Sequence, residues 1–146
     1  MLYDDQTREL AIQVAIGMSP DEIRRGRYKI GEGVTGKVFE TGEPMSIPNI
    51  SKEPLFLNKT GSRGDIRRKN IAFLCVPVKI HKDTIGVLSV DRISEGNDTR
   101  LDDEIRILTE VADLIGLAAK VARTETETKR NLMETNLYLH RELKHR

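Results

Sequence analysis

Apolar positions along this chain repeat at two periods, and each predicts a kind of element. Glu9–Ile16 alternates, with Leu10, Ile12, Val14 and Ile16 on one side and Ala11, Gln13 and Ala15 on the other. That is the pattern of a half-buried strand. Asp4-Asp5-Gln6-Thr7 before it reads as a hairpin turn, so Leu2-Tyr3 reads as the end of an earlier strand and the chain as a piece of a larger protein. Ile71–Ile80 and Thr84–Ile93 are rich in Val, Ile and Leu, with His81-Lys82-Asp83 as the turn between them. They predict a central antiparallel hairpin. Pro77 offers no backbone donor and predicts a bulge nearby.

From Leu101 onward the period is helical, and no proline interrupts it. Ile105, Leu108, Val111, Ala112, Ile115 and Ala119 form a stripe fit to pack on a sheet. Val111, Leu114, Ala118 and Val121, then Thr128, Leu132, Thr135 and Leu139, fall on a heptad seam that Glu125 and Glu142 interrupt. At about 1.5 Å per residue this helix would run roughly 60 Å, so the part beyond Thr124 projects past a small domain. A projecting helix with such a seam predicts a parallel homodimer. A charged linker, helical only in part, is the alternative.

Local signals fill the remainder. Ser19 can cap a helix that Pro20 opens, Glu22 completes a capping box, and Gly26 ends it. Tyr28–Ile30 reads as a short strand. Gly31 and Gly33 then allow a sharp turn, and Val34, Val38 and Phe39 give a short helix one apolar face. Gly42 and Pro44 stop that helix, and Pro44–Pro48 reads as a strand near a sheet edge. Residues 50–57 predict a short helix interrupted by Pro54. Residues 58–70 form a basic loop, with Lys59, Arg63, Arg67, Arg68 and Lys69 against Asp65. It reads either as a solvated loop or as a lid that supplies cations to an anionic ligand.

Composition narrows the function classes. The chain has 146 residues, enough for one domain and an appendage, and a formal net charge of +1. Nothing in that balance points to nucleic acid or a membrane surface. No apolar run approaches the roughly 20 residues that span a bilayer. The one cysteine, Cys75, excludes an internal disulfide and fits a cytoplasmic, reducing setting. It lies inside an apolar run and reads as a small core residue rather than a catalytic thiol. His81, His140 and His145 cannot be brought to it from sequence, so no metal constellation is read.

Gly31-Glu32-Gly33-Val34-Thr35-Gly36-Lys37 matches the spacing of a phosphate-binding P-loop. The next residue should carry a hydroxyl for magnesium, and here it is Val38. The strand before it is short and charged, whereas a P-loop strand is apolar throughout. Ile85–Asp91 would have to serve as the partner strand with a metal-binding Asp. The stretch therefore reads as a turn that launches a helix, with a P-loop nucleotide-binding protein as the lesser alternative.

Antiparallel strands with helices at both ends make an α+β layout, a sheet covered by helices. Several motifs sit on it: Tyr28-Lys29-Ile30-Gly31-Glu32-Gly33-Val34-Thr35-Gly36-Lys37-Val38, Glu43-Pro44 to Pro48-Asn49-Ile50, and Glu53-Pro54-Leu55-Phe56-Leu57-Asn58. Phe73-Leu74-Cys75-Val76-Pro77-Val78 and Ile85-Gly86-Val87-Leu88-Ser89-Val90-Asp91-Arg92 follow. With these the chain resembles the GAF domain family over most of residues 2–122. Within it, the chain resembles the N-terminal sensory domain of NifA-like, sigma-N-dependent activators of nitrogen fixation. Asn136–Leu143 resembles the linker into their AAA+ ATPase domain.

The resemblance implies a GAF-type antiparallel sheet flanked by helices over residues 1–122, with its first helix and strand cut short. Residues 123–146 would be a coiled-coil linker to an AAA+ domain. It implies a regulatory role without catalysis, with ATPase and DNA-binding domains as partners in the full-length protein and no direct nucleic-acid contact. A small effector such as 2-oxoglutarate is implied, and no resident cofactor or metal. Arg63, Arg67 and Arg68 are the nearest cations for a dicarboxylate, and Thr35, Phe73, Cys75 and Ser89 are candidates to line its cavity. Val111, Leu114, Ala118, Val121, Leu132 and Leu139 would form the dimer seam. Asp91-Arg92 stands where cyclic-nucleotide-binding relatives carry Asn-Lys, so a cyclic nucleotide is not supported. A dimerisation module without a ligand is the runner-up. Methionine sulfoxide reduction, known in a few GAF domains, needs several cysteines.

Overall fold

The computed structural model describes residues 1–66, 69–94 and 100–145. Ten elements follow in order: β1 (Leu2–Asp4), β2 (Glu9–Ala11), α1 (Pro20–Arg25), β3 (Arg27–Lys29), α2 (Gly33–Thr41), β4 (Met45–Ile47), a 3-10 turn (Ile50–Lys52), β5 (Ile71–Ile80), β6 (Asp83–Ile93) and α3 (Leu101–Lys144). The strands form one six-stranded sheet in the order β3-β2-β1-β6-β5-β4, with every pair antiparallel.

The long β5–β6 hairpin carries the fold. Alternation on β5 divides the core in two. Ile71, Phe73 and Cys75 face α2 with Val34, Val38, Ile47 and Ile50, while Val76 and Val78 face α3 with Ala112. Both layers are closed to water, since Val38, Cys75, Val76 and Ala112 have no exposed surface. The expected bulge lies between Val78 and Lys79, one residue beyond Pro77. Pro77 itself lies past Cys75, the last β5 residue that β4 pairs.

The cap signals read from sequence are present. Ser19 Oγ accepts from the Glu22 amide, the Glu22 carboxylate accepts from the Ser19 amide, and Pro20 opens α1. Gly42 ends α2 with φ 70°. Gly36 is held by close approach: a Cβ there would run into the Lys29 carbonyl oxygen. Gly31 N–H donates to the Gly36 carbonyl at 2.9 Å and Gly36 N–H to Glu32 at 2.8 Å, so these amides close a turn and face no phosphate. Lys37 Nζ is half-exposed and 4.0 Å from Glu40. The strand before the turn, β3, is an edge strand of an antiparallel sheet.

Two expectations are corrected. The alternating strand ends at Ala11 rather than Ile16, and Val14 and Ile16 are 84% and 99% exposed. The ladder stops because its neighbours do. Ala11 pairs with Leu2 and Arg27, beyond which Met1 bonds to Val87 and α1 occupies the chain before β3. On α3, Val111 and Ile115 of the predicted sheet-facing stripe are exposed. Ala112 and Gly116 make the closest approach instead, flanked by the half-buried Ile105 and Leu108. At Gly116 a Cβ would strike the Lys79 carbonyl, so the helix rests on β5 backbone to backbone. α3 has 44 residues, roughly 66 Å at 1.5 Å per residue. From Val121 to its end every described residue is exposed. No helix among the described residues is long and apolar enough to cross a membrane.

Candidate functional site

Residues 53–66 lie over the α2 face of the sheet and are tied down at several points. Arg25 Nε and Nη2 both donate to the Thr60 carbonyl, at 3.1 and 2.9 Å. Lys59 Nζ donates to the Arg27 carbonyl at 2.8 Å, sits 5.0 Å from the centre of the Tyr28 ring and pairs with Glu32. The hydrogen bond from Lys59, with that from the Lys29 amide, holds the Glu32 carboxyl below the usual range, so the pair stays charged. Lys69 Nζ donates to the Arg63 carbonyl at 3.0 Å.

Arg63 is the centre of this loop, and its side chain is only 9% exposed. Its guanidinium carbon lies 4.8 Å from the centre of the Phe56 ring and 5.6 Å from that of Phe73, and the two rings meet edge to face. A cation on desolvated aromatic faces gains more than one in water. Nε and Nη2 donate to the two Asp91 oxygens at 2.5 and 2.9 Å, a bidentate pair. Nη1 reaches Asn58 Oδ1 at 3.3 Å and Thr60 Oγ1 at 3.5 Å.

Beside this pair opens a cleft of about 450 Å³. Ser62, Arg63, Lys69, Asn70 and Asp91 supply its polar side, and Ile16, Met18, Ile71 and Ile93 its apolar side. The predicted ligand residues fall in different places. Arg63 lines the cleft, and Phe73 carries its guanidinium from below. Thr35 and Cys75 are packed in the interior, and Ser89 is exposed on β6 opposite Cys75. Burial pushes the Cys75 thiol up to about 12, which keeps it protonated and unreactive near neutral pH. Arg67 and Arg68 lie outside the described residues. The pairing of Asp91 with Arg63 and the contribution of Ile16 and Met18 were not legible beforehand. Asp91 was marked beforehand only as the acid ending Ile85–Asp91 in the P-loop reading and as part of Asp91-Arg92, where cyclic-nucleotide-binding relatives carry Asn-Lys.

The predicted seam residues Val111, Leu114, Ala118, Val121, Leu132 and Leu139 are all exposed on α3. A second hollow of about 330 Å³ lies on α3 against Ala122, Arg123, Thr126, Glu127 and Arg130, away from the cleft.

Comparison with known proteins agrees with this geometry. The GAF domain model matches residues 1–119. The chain is 38% identical over 135 residues to a Nif-specific regulatory protein of Herbaspirillum seropedicae, covering 92% of this chain and 25% of that protein. It is 38% identical over 106 residues to the nitrogen fixation protein VnfA of Azotobacter vinelandii, covering 71% of this chain and 20% of that one. The chain thus spans about a quarter of the length of the curated relatives it matches. Among solved structures, the A. aeolicus nlh2 GAF domain in an inactive state superposes with a TM-score of 0.58 at 30% identity, over 66% of this chain and 58% of that one. The α2-covered face, the six-stranded antiparallel sheet and the sequence match agree: the chain belongs to the GAF domain family, in a form similar to the corresponding stretch of Nif-specific regulatory proteins.

Proposed function

We propose that residues 1–122 are the ligand-sensing and dimerising domain of a cytoplasmic, sigma-N-dependent activator of nitrogen-fixation type. Residues 123–146 are its helical linker to an AAA+ ATPase. The domain has no chemistry of its own. Its effector is a small carboxylate such as 2-oxoglutarate, held by Arg63 in the cleft, and its output is the pairing of α3.

One observation carries this reading: a single sheet joins the two features. Its α2 face bears the Arg63 cleft, and its other face seats α3 through Ala112 and Gly116. The same helix continues as a bare apolar seam, with Leu114 66%, Val121 51%, Leu132 60% and Leu139 51% exposed. Exposed apolar stripes of this extent mark interaction surfaces. A ligand changes the pairing only by its difference in affinity for the two arrangements. The runner-up, a dimerisation module without a ligand, shares the seam but gives the cleft no role.

Light scattering on the full chain tests both parts, with Leu114→Glu/Val121→Glu as the comparison and 2-oxoglutarate present or absent. A dimer that the double substitution makes monomeric, and whose dissociation constant moves with 2-oxoglutarate, is expected. Monomers under every condition would end the pairing claim. A dimer indifferent to carboxylates would favour the module without a ligand.

A further inference from the structure

We propose that Asp91 is a built-in competitor of the effector: its carboxylate occupies the carboxylate seat on Arg63, and an incoming carboxylate binds by exchange with it. This rests on the reading of the cleft as an effector site. Arg63 presents its Nε–Nη2 edge to Asp91 with one donor to each oxygen, at 2.5 and 2.9 Å. That fork is the arrangement in which an arginine holds any free carboxylate. The side chain of Asp91 thus displays the class of ligand that the seat accepts.

The two partners are held very differently. The guanidinium is fixed by Phe56 and Phe73 and by longer contacts to Asn58 and Thr60, none of which involves Asp91. It keeps its place when the acid leaves. Asp91 is 35% exposed and borders the open cleft. It lies on a part of β6 beyond the single β1 pair, Leu2 with Gly86. Once displaced, its carboxylate turns into water and recovers its hydration.

Exchange rather than simple release follows from the burial of Arg63. A buried cation left without a counter-charge is strongly unfavourable, whereas one carboxylate replacing another leaves the pairing intact. A neutral ligand therefore cannot take the seat. Lys69, exposed on the same cleft with its Nζ on the Arg63 carbonyl, stands ready for a second carboxylate. The competition also sets a threshold: apparent affinity falls by the fraction of molecules whose seat is free.

Calorimetric titration of the full chain with succinate tests this, using wild type, Asp91→Asn and Arg63→Gln/Asp91→Asn, with neutral succinamide as the control ligand. Asp91→Asn keeps the shape and one acceptor but removes the charge. It is expected to bind succinate about tenfold more tightly than wild type or better. Arg63→Gln should abolish that gain, and succinamide should bind none of the three. No gain in Asp91→Asn, or a gain that survives loss of Arg63, overturns the proposal. Equal binding by wild type and Asp91→Asn would sink the competitor and leave the effector site standing. A gain in Asp91→Asn, with wild-type pairing blind to succinate and 2-oxoglutarate, would keep the competitor and sink the sensor. Binding by neither protein would sink both. Should Asp91→Asn fail to fold, the Asp91 carboxylate carbon resonance of wild type decides: it should move toward the value of free aspartate as succinate binds, and a resonance unmoved at saturation overturns the exchange.

Discussion

Gly116→Ala sets two effects against each other. In an isolated helix, alanine in place of glycine is worth about 1 kcal/mol of stability. Here the new Cβ would overlap the Lys79 carbonyl oxygen, with the carbonyl carbon only 3.1 Å away. Both are backbone atoms of β5, which cannot rotate aside as a side-chain tip can. Forcing a methyl into a packed contact costs about 1–3 kcal/mol. The seat of α3 is narrow, with Ala112 and Gly116 its only fully buried residues among those described. The cost should exceed the gain, for a net loss of about 1–2 kcal/mol. Urea unfolding at fixed protein concentration measures it as a lower midpoint at unchanged slope. Hydrogen exchange of the β5–β6 amides near Lys79 should quicken with it. Thr124→Ala, on an exposed turn of the same helix, serves as the control and should change stability by a few tenths of a kcal/mol at most. A Gly116→Ala chain more stable by about 1 kcal/mol would mean that helix propensity acts unopposed. The contact of α3 with β5 would then be refuted.

Other expectations follow from single sites. Lys37→Ala should shift stability by less than about 0.5 kcal/mol and should not alter magnesium–ATP affinity, measured by calorimetry; tight ATP binding that depends on Lys37 would revive the P-loop reading. Arg63→Lys keeps a charge but loses the fork, and should destabilise the chain by about 1–3 kcal/mol in urea unfolding; an unchanged midpoint would mean that the pair with Asp91 contributes nothing. Cys75 titrates at about 12 when folded against an ordinary value of 9.0. The unfolded thiol therefore ionises first, and this group's share of stability is full below pH 9.0 and lost as pH rises from there toward about 12. Native alkylation by iodoacetamide at pH 8 should be far slower than in urea, and equal rates would place the thiol at the surface.

The parts of the fold that were legible beforehand are those where one local signal outweighs its surroundings. The capping box at Ser19, the stop at Gly42 and the β5–β6 hairpin each rest on residues close in sequence. The length of β2 was not, because a strand extends only as far as its partners, and those lie at residues 2–4 and 27–29. Alternation at Val14 and Ile16 is therefore spent on an exposed stretch, and Ile16 instead borders the cleft. On α3 the helical period was plain, but a stripe does not say which edge touches the sheet. Gly116 settles that by admitting the backbone of Lys79, and a small residue leaves no hydrophobic signal. At the site, a cation-rich loop marked Arg63 as a candidate. Nothing in the sequence joined it to Asp91, which lies 28 residues away and meets it only through the return of β6.

The proposed coupling runs from a carboxylate at Arg63 to the pairing of α3, and one titration observes both ends. The Nε–H resonance of Arg63 and the amide resonance of Val121 are followed in the full chain as 2-oxoglutarate is added. Both should shift and saturate along one binding curve. An Arg63 resonance that never moves contradicts the site. One that saturates while Val121 stays still contradicts the coupling, leaving a cleft that binds and a helix that does not respond.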